Sequence, residues 1–508
     1  MTDSTPDGPP DVLLRDVVLD GAHRDVLLSG GRVAAVGDRL SAGAVAGGVV
    51  VDAGGAVLRP GLRDEHVHLT QWATARRRVD VSAAVSARHV AELLAQAAPA
   101  VDGLLVGHGF RDALWAEPPH RDLLDAALPG RPVVVVSQDL HTVWVNSAAA
   151  QRFGVTEPSG VLVEGPAMDL IAAAGDVEAD VLDGWVLAAT DAAAARGVTG
   201  VVDFEYAPPG DWVRRTATRP PGVRVRVGIW PEFLPGVVEA GLRSGDPLPG
   251  LLDPLTRDRL RTGPLKLFVD GSLGTRTAFC HDPYPDVEGS AAAGAAPRHG
   301  LLRLSPQELR QQLRRAHDAG LHLAVHAIGD AAVTVALDAF EAEGVGGRIE
   351  HAQQVGPADV PRFAALGVVA SVQPRHAVDD RDACDVHWAA GVDRAFPYAA
   401  LLAAGAEVVL GSDAPVAPLD PWDAVASAVH RSLDARPAWH PEQHLSLDDA
   451  LAAASGGRRG VRVGEVADLV LLARDPAAVL ADGGPDALRR SEVLATLVGG
   501  AFTHRAGV

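Results

Sequence analysis

Apolar and polar residues alternate with a period of two near both ends of the chain. Residues 11–58 include "DVLLSGGRVAAVGDRL" and "GGVVVDAGGAVLRP", and residues 463–505 include "VGEVADLVLLARDP" and "VLATLVGGAFTHR". Short alternating runs separated by glycine are typical of antiparallel strands joined by tight turns. The pattern therefore predicts that both ends of the chain contribute strands to one small β unit.

The middle of the chain, from about residue 196 to 415, alternates apolar runs with amphipathic stretches of helical period. One such stretch, "SPQELRQQLRRAHDAG", begins at Ser305 with Glu308 at the capping-box position and ends at Gly320. Alternating strands and helices are typical of a parallel sheet or barrel. With one earlier run, the predicted strands number eight: "VLRPGLRDEHVHL", "GVTGVVDFE", "VRVRVGIW", "PLKLFVD", "LHLAVHA", "GRIEHA", "GVVASVQP" and "AEVVLGSD".

Residues 70 to 190 do not follow this alternation. They contain alanine-rich helical segments and one apolar strand, "PVVVVSQDL". We interpret them as a subdomain inserted between the first and second strands of the barrel. The segment "EGSAAAGAAPRHG", residues 288–300, is low in complexity and predicts a mobile loop.

The formal net charge of −20 argues against nucleic acid and anionic membrane surfaces as partners, because both repel an acidic protein. The one compact basic run, Arg76-Arg77-Arg78, is too short to reverse this and indicates a solvated face or a local anion contact. The two cysteines, Cys280 and Cys384, form neither a disulfide framework nor a CxxC motif, and no export or anchoring segment is evident. We therefore expect a cytoplasmic protein.

Six residues suited to metal binding lie on or after predicted strands. The motif "DEHVH" places His66 and His68 two residues apart, so that both imidazoles project from the same face of a strand. This spacing suits metal chelation, although two unrelated histidines on a half-exposed strand give the same pattern. Because the C-terminal ends of parallel strands converge on one mouth of a barrel, four residues on other strands can join them. These are Lys266, His326, His351 and Asp413.

Lys266 is the only lysine of the chain, and the other 44 basic residues are arginines. Arginine stays protonated, whereas a buried lysine amine can lose its proton and act as a nucleophile or form a Schiff base. A neutral amine also reacts with carbon dioxide to give a carbamate, which can bridge two metal ions. An ion pair with Asp270 is the structural alternative, but arginine would serve there equally well. A Schiff base would leave the histidines and Asp413 without a common purpose.

Imidazole and carboxylate ligands suit zinc, which lowers the pKa of bound water towards about 7 and makes hydroxide available at neutral pH. Asp413 is predicted to take the proton from that water and return it to a leaving amine, as general base and then acid. On its own, Asp413 in "SDAP" fits a helix N-cap better than a catalytic role, and only the whole set of residues favours catalysis.

These residues together resemble the amidohydrolase superfamily, specifically its YtcJ-like branch, the amidohydrolase-3 group that includes N-substituted formamide deformylases. The resemblance implies a distorted TIM (β/α)8 barrel at residues 59–461, with the subdomain at about 70–190 inserted after its first strand. It also implies a composite β-sandwich domain from residues 8–58 and 462–508. The matching stretches are "RPGLRDEHVHL", "HTVWVNS", "LKLFVDGSLGTRTA", "HAIGDAA", "RIEHAQ", "SVQPRHAVDD" and "LGSDAPVAPLDP".

The resemblance further implies a division of the ligands between two metal sites, which together hold either one ion or two. His66 and His68 would hold one ion with Asp413, His326 and His351 would hold the other, and carboxylated Lys266 would bridge them. The segments "HTVWVNS", "DGSLGTR" and "QPRH" would line the substrate pocket. From these segments the predicted contacts are His141, Trp144, Asp270, Arg276 and Gln373. Glu65 is a departure, because the family usually has a small residue there.

We therefore expect a metal-dependent hydrolase that acts on carbon–nitrogen bonds other than peptide bonds. It would cleave an amide, N-acyl or N-formyl group by attack of metal-bound hydroxide. Two alternatives stay open: a deaminase of a cyclic amidine or aminated ring in the same superfamily, and a non-catalytic relative that acts as a binding protein. The expected partner is a small-molecule substrate, and base rates favour a homodimer.

Overall fold

The computed structural model describes residues 10–41, 43, 45, 47–97, 103–113, 115–175, 177–285 and 298–508. Most of the predicted mobile loop at 288–300, and the start of the predicted terminal domain at residues 8 and 9, lie outside these residues. The strands are β1 Val12–Leu19, β2 Ala22–Ser29, β3 Arg32–Gly37, β4 Val49–Asp52, β5 Val57–Pro60, β6 Leu62–Val67, β7 Val79–Asp80, β8 Leu105–Phe110, β9 Val133–Ser137, β10 Thr142–Val145, β11 Val161–Val163, β12 Val198–Asp203, β13 Arg224–Ile229, β14 Leu260–Phe268, β15 Leu323–Ala327, β16 Gly347–His351, β17 Val368–Val372, β18 Val408–Leu410, β19 Leu469–Leu472, β20 Val493–Val498 and β21 Ala501–Arg505.

Helices cover the outside of the barrel and both faces of the sheet in the inserted subdomain. None of the described helices is both long enough and apolar enough to cross a membrane. The α-helices are α1 Leu69–Ala75, α2 Ala87–Ala97, α3 Arg121–Ala127, α4 Ser147–Phe153, α5 Gly165–Ala174, α6 Ala179–Ala194, α7 Gly210–Arg215, α8 Leu234–Glu239, α9 Pro254–Arg259, α10 Pro306–Asp318, α11 Asp330–Glu343, α12 Val360–Leu366, α13 Pro374–Asp379, α14 Arg381–His387, α15 Tyr398–Ala403, α16 Pro421–His430, α17 Leu447–Ala453 and α18 Pro476–Arg489. Short 3-10 helices lie at Val392–Arg394 and Pro441–Gln443.

Eight parallel strands form the barrel, in the order β18-β17-β16-β15-β14-β13-β12-β6. All eight strands predicted from the sequence are present. The first predicted run divides, however, because Val57–Pro60 pairs with β19 in the terminal sheet and only Leu62–Val67 enters the barrel. Gly61 separates the two segments at a point of very close contact. A Cβ atom on Gly61 would lie 2.2 Å from Cγ2 of Thr199.

The barrel closes between β6 and the residues that follow β18. The backbone N–H of Asp413 donates to the carbonyl oxygen of His66 (2.7 Å), and the N–H of His68 donates to the carbonyl oxygen of Ala414 (2.8 Å). The largest apolar core lies between the strands and the surrounding helices. Its fully buried members include Leu265, Val325, Leu337, Phe340, Phe363 and Leu401.

Both ends of the chain form one sheet, in the order β21-β20-β19-β5-β1-β2-β3, with β4 also paired to β1. The sheet folds over on itself, since Arg32 at the start of β3 makes an antiparallel bridge with Val466 just before β19. The enclosed core draws on both ends of the chain and includes Leu14, Val26, Leu58, Leu471 and Leu497. The fold class predicted from the sequence is therefore confirmed.

A third sheet lies between the first and second strands of the barrel along the chain. Its order is β11-β10-β9-β8-β7, with β7, β8 and β9 parallel and the last two strands antiparallel. The predicted strand "PVVVVSQDL" corresponds to β9, which is fully buried at the centre of this sheet. The inserted subdomain thus has cores of its own, built around Phe110, Leu124 and Trp144 on one face and Val134, Val143 and Leu170 on the other.

A charged cluster lies towards the N-terminal end of the barrel strands. Glu65 is 5 % exposed and accepts hydrogen bonds from Nε of Arg63 (2.5 Å) and Nη1 of Arg348 (2.9 Å). Burial alone would raise the pKa of Glu65, but Arg63, Arg348 and Arg226 lower it to about 2. A buried carboxylate is tolerated here because its charge is balanced by paired guanidinium groups.

We expect Gly61→Ala to destabilise the fold and Gly184→Ala to stabilise it. Any Cβ at position 61 collides with Thr199, and overpacking of this kind typically costs about 1–3 kcal/mol. Gly184 is exposed within α6 and a Cβ there meets no atom within 4 Å, so alanine should add about 0.5–1 kcal/mol through helix propensity. Urea unfolding of both variants measures the difference. Equal midpoints would contradict the close contact at Gly61.

We expect Glu65→Gln to destabilise the protein at neutral pH by an amount that shrinks in acid. The pKa of Glu65 is lowered from 4.5 to about 2, so the carboxylate contributes stability above about pH 4.5 and loses it as the pH falls towards 2. The full contribution is on the order of 3 kcal/mol. Urea unfolding at pH 7 and pH 3 measures it, with Glu407→Gln as an exposed control from the same end of the barrel. A loss that is equal at the two pH values would contradict the ion-pair explanation.

Candidate metal centre

The mouth of the barrel brings together all six residues that the sequence analysis predicted as metal ligands. His66 lies near the C-terminal end of β6, His68 comes directly after that strand, and Asp413 lies just after β18. The other three lie on consecutive neighbouring strands of the barrel, with Lys266 on β14, His326 on β15 and His351 on β16. Each of these side chains is buried except that of His68, which is partly exposed.

A first group of donors consists of His66, His68 and Asp413. Oδ1 of Asp413 lies 3.2 Å from Nε2 of His68 and 3.4 Å from Nε2 of His66. The three donor atoms lie within 4.8 Å of one another, which is close enough for a single ion to reach all of them. The sequence analysis assigned these same three residues to one metal.

A second group shares Asp413 and adds His351 and His376. Oδ2 of Asp413 lies 4.0 Å from Nδ1 of His351 and 4.0 Å from Nε2 of His376. Sequence reasoning missed His376, although the segment "QPRH" that contains it was singled out. The available signal was a histidine in the first turn of a helix, α13, that begins directly after barrel strand β17.

His326 adjoins the second group without belonging to it. Its ring centre lies 4.4 Å from that of His351. Its Nε2 donates to the carbonyl oxygen of Gly271 (3.2 Å) and lies 3.5 Å from Oδ1 of Asp270. Nδ1 of His326 is therefore the ring nitrogen with a free lone pair, and it is buried without a hydrogen-bond partner among the described residues.

Lys266 lies inside the barrel with no exposed surface. Its Nζ is 3.3 Å from Nε2 of His66 and packs over the rings of Phe204 (4.5 Å) and Phe268 (4.9 Å). Within the described part of the chain, no carboxylate forms an ion pair with it at contact distance. Burial lowers the pKa of Lys266 to about 8, so that the neutral amine is readily accessible near neutral pH.

Three histidines of the site, His66, His326 and His351, are held in their neutral form, whereas the hydrogen bond between His68 and Asp413 outweighs burial and raises the pKa of His68. Burial and the nearby charge of Lys266 lower the pKa of His66 to about 4, and burial lowers the pKa values of His326 and His351 well below their usual range. Burial alone would raise the pKa of Asp413, but the surrounding histidines hold it well below its ordinary value. At neutral pH the site therefore presents imidazole lone pairs and one carboxylate.

Two buried side chains orient these histidines. Oε2 of Glu350 accepts a hydrogen bond from Nδ1 of His66 (2.6 Å), and Oε1 of Gln373 accepts one from Nδ1 of His351 (2.9 Å). Arg348 hydrogen-bonds both Glu350 and Glu65, which links the site to the charged cluster further down the barrel. Sequence reasoning missed Glu350; the signal was a charged residue within the apolar strand that ends at His351.

The backbone turns sharply where two of the donors lie. His351 (φ 75°), Ala352 (φ 42°) and Asp413 (φ 58°) all occupy the left-handed region. Residues other than glycine adopt this conformation at a cost on the order of 1–3 kcal/mol, and such residues cluster at functional sites. Here the turns direct His351 and Asp413 towards the same point at the barrel mouth.

The side chains present fit a divalent metal. Imidazole nitrogen and carboxylate oxygen are preferred ligands of zinc. Two buried ring nitrogens in the site also have no hydrogen-bond partner among the described residues, which a metal would provide. They are Nδ1 of His326 and Nε2 of His376.

A cavity of about 870 Å³ opens above these donors. Its apolar walls come from both the barrel and the inserted subdomain. They include Phe110, Trp115, Leu140, Ile171, Trp230, Phe268 and Leu273. Among the five predicted substrate contacts only His141 lines this cavity, where its Nδ1 lies 3.0 Å from Oε2 of Glu164.

The other four predicted contacts are not among the residues that line the cavity. Trp144 has no exposed surface because its indole packs into the core of the inserted sheet. Asp270 instead accepts backbone N–H groups of Phe279, Ile328 and Gly329, and burial raises its pKa to about 7. Gln373 is buried beneath His351, and Arg276 is half-buried beside the cavity with φ 57°.

Known proteins agree with this architecture. The chain is 27 % identical over 531 residues to the N-substituted formamide deformylase of Arthrobacter pascens, covering 94 % of each chain. It is 26 % identical over 502 residues to YtcJ of Bacillus subtilis, covering 89 % of each. A solved structure of an uncharacterised metal-dependent hydrolase from Pyrococcus horikoshii superposes with a TM-score of 0.72 at 25 % identity, covering 92 % of this chain and 98 % of that one.

The family model for the amidohydrolase family matches residues 49–504, a span that contains the whole barrel, all six predicted ligands and the later strands of the terminal sheet, from β4 onwards. The arrangement of histidines and an aspartate at the barrel mouth is what a metal-dependent hydrolase requires. The chain belongs to the amidohydrolase family.

Proposed function

We propose that the protein is an amidohydrolase that cleaves a carbon–nitrogen bond other than a peptide bond, in an amide, N-acyl or N-formyl compound. The observation that carries this proposal is the convergence of His66, His68, Asp413 and the buried Lys266 at one end of the barrel, directly below the cavity. The similarity to an N-substituted formamide deformylase over 94 % of each chain supports the type of bond.

The residues that would hold metal are His66, His68 and Asp413 for one ion, and His351 with His326 or His376 for a second. A divalent metal, zinc by the donor set, would supply a Lewis acid that activates water and polarises a substrate carbonyl. Glu350 and Gln373 hold His66 and His351 by their Nδ1 atoms, which leaves Nε2 of each ring for the ion.

Asp413 would move the proton during hydrolysis. Its carboxylate is ionised because the surrounding histidines lower its pKa, and Oδ2 keeps a distance of 4.0 Å from both His351 and His376. That oxygen can accept a proton from water and then donate it to the nitrogen of the departing amine. The same carboxylate thus acts as base in the first half of the reaction and as acid in the second.

Lys266 would act as a carbamate that bridges the two groups of donors. Its neutral amine adds to carbon dioxide, forming an N–C bond and releasing one proton, and the product carries two oxygens. Burial against Phe204 and Phe268 supports this modification because it favours the uncharged amine over the ammonium ion. The guanidinium group of an arginine cannot undergo this reaction at neutral pH.

The partner proposed for this site is a small molecule. The cavity is bounded on one side by apolar residues of the inserted subdomain and on the other by Trp230 and Phe268 of the barrel. A volume of about 870 Å³ is within the range of small-molecule sites, which are largely apolar with a few fixed polar groups.

Elemental analysis and a substrate screen test the proposal. Purified protein should contain about one to two equivalents of a divalent metal, and its removal should abolish hydrolysis of N-formyl and N-acetyl amines. Release of ammonia from cyclic amidines in place of these products would favour a deaminase. His326→Ala should lower the metal content, whereas His322→Ala, at the opposite end of the same strand, should leave the metal content unchanged. Full metal content in the His326 variant would contradict the assignment.

We expect Lys266→Ala to lose activity by a factor of about 100 or more, and short carboxylic acids such as acetate to restore part of it. Rescue follows because a free carboxylate can occupy the position of the missing carbamate. Lys266→Arg should be equally inactive and should not respond to acetate, since the guanidinium fills the space. Steady-state rates with and without acetate measure this. Unchanged activity in Lys266→Ala would refute the bridging role.

A further inference from the structure

The basic run Arg76-Arg77-Arg78 follows helix α1, and its three side chains have different surroundings. The guanidinium of Arg76 packs over the ring of Trp72 (4.8 Å), and that of Arg77 packs over the ring of Trp185 (5.4 Å). Both of these arginines are exposed. Arg78 is only partly exposed and lines the large cavity above the metal centre. The run is therefore not one uniform solvated face.

The side chain of Arg78 has no hydrogen bond, ion pair or aromatic stacking partner among the described residues. Arg111, the other arginine in the cavity lining, has one, because its Nη2 lies 2.9 Å from Oδ2 of Asp379. The pKa of Arg78 is lowered to about 10 by burial, whereas a nearby carboxylate would raise it. A mostly buried guanidinium without a counter-charge is unfavourable unless a ligand supplies one.

The carboxylates of the cavity do not serve this purpose. Seven of them besides Asp413 line its walls, and none forms an ion pair with Arg78: Asp112, Asp139, Asp169, Glu205, Asp379, Asp380 and Asp382. The titratable neighbour of Arg78 is His108, which burial and Arg78 keep neutral by lowering its pKa to about 4. The guanidinium also lies beside Gly175, where a Cβ would be 3.8 Å from Nη2. Among the described residues that line the cavity, no carboxylate therefore pairs with Arg78.

Helix α1 connects Arg78 to the metal centre. It begins directly after His68 and ends at Ala75, so that Gln71 and Thr74, three residues apart, share one face, and Arg78 lies in the bend that follows. All three line the cavity. Because the seven residues of the helix rise by about 1.5 Å each, Arg78 lies on the order of 10 Å or more from His68. A ligand that reaches both places needs an extended spacer between its reacting bond and its charged end.

We propose that Arg78 binds a carboxylate or other anionic group at the end of the substrate remote from the scissile carbon–nitrogen bond. This inference rests on the proposed function and narrows it to N-acyl compounds with a negative charge. Arginine matches a carboxylate with two parallel N–H···O bonds, and hydrogen bonds to charged groups are worth roughly 10- to 100-fold in binding when desolvated. The neutral His108 and the apolar wall would keep water away from this pair.

Matched pairs of compounds test the inference. The probes are N-formyl and N-acetyl derivatives of straight-chain ω-amino acids with four to eight carbons, and the same compounds with a terminal hydroxymethyl group in place of the carboxylate. The wild-type enzyme should prefer the acids in kcat/KM by about 10- to 100-fold, mainly through KM, with an optimum chain length. Terminal sulfonates and phosphates distinguish a requirement for carboxylate from one for any anion.

Variants of Arg78 test whether this residue causes the preference for acids over neutral compounds. Arg78→Gln should reduce the ratio of kcat/KM for acid over neutral compound to about 1, and Arg78→Glu should favour compounds that end in an ammonium group. Arg77→Gln is the matched control, because it removes an adjacent, exposed arginine and should keep the wild-type ratio. An unchanged ratio in Arg78→Gln, or equal kcat/KM for acid and neutral compounds in the wild type, would overturn the inference.

Binding measurements distinguish a failure of the proposed hydrolase function from a failure of anion binding by Arg78. If the metal-loaded protein hydrolyses none of the compounds, the function is wrong, and the role of Arg78 is then decided by binding. In that case the acids should still raise the Tm of the wild type and of Arg77→Gln, but not that of Arg78→Gln. Equal shifts in all three proteins would show that Arg78 does not bind the anion.

Discussion

The site depends on closure of the barrel between its first and last strands. The two backbone hydrogen bonds that close it, from Asp413 to His66 and from His68 to Ala414, join the residues that carry the metal donors. The geometry of the first donor group is therefore set by main-chain pairing and not by flexible side chains alone. Because Asp413 also faces His351 and His376, the same two backbone hydrogen bonds fix the position of one donor group relative to the other.

Sequence patterns predicted the barrel well because its strands are apolar runs with regular helical connections, and a parallel sheet brings their C-terminal ends together. They did not give the direction of the side chains that were predicted as substrate contacts. Trp144, Asp270 and Gln373 lie in motifs near the cavity, but packing turns their side chains into the core or towards the histidines. A linear motif gives the position of a residue on an element, whereas its direction at a strand end depends on the local backbone, as the left-handed turn at Asp413 illustrates.

Charged residues inside the barrel form a continuous path from its lower end to the metal centre. Glu65 pairs with Arg348, Arg348 pairs with Glu350, and Glu350 binds His66. Each buried charge is balanced by the next, so that loss of one member leaves its neighbours unpaired. This path explains why strands that are otherwise apolar contain charged side chains. Glu65, at a position where the family usually has a small residue, pairs with Arg348 at the lower end of the path.

The burial of Lys266 has a consequence for the chemistry of the whole surface. Since Lys266 is the only lysine and has no exposed area, the folded protein offers no side-chain amine to solvent. Acylating reagents, aldehyde cross-linkers and enzymes that attach groups to lysine all require such an amine. Lys266 can react with such reagents only when the barrel opens. The rate at which Lys266 is acylated therefore measures how often the barrel opens.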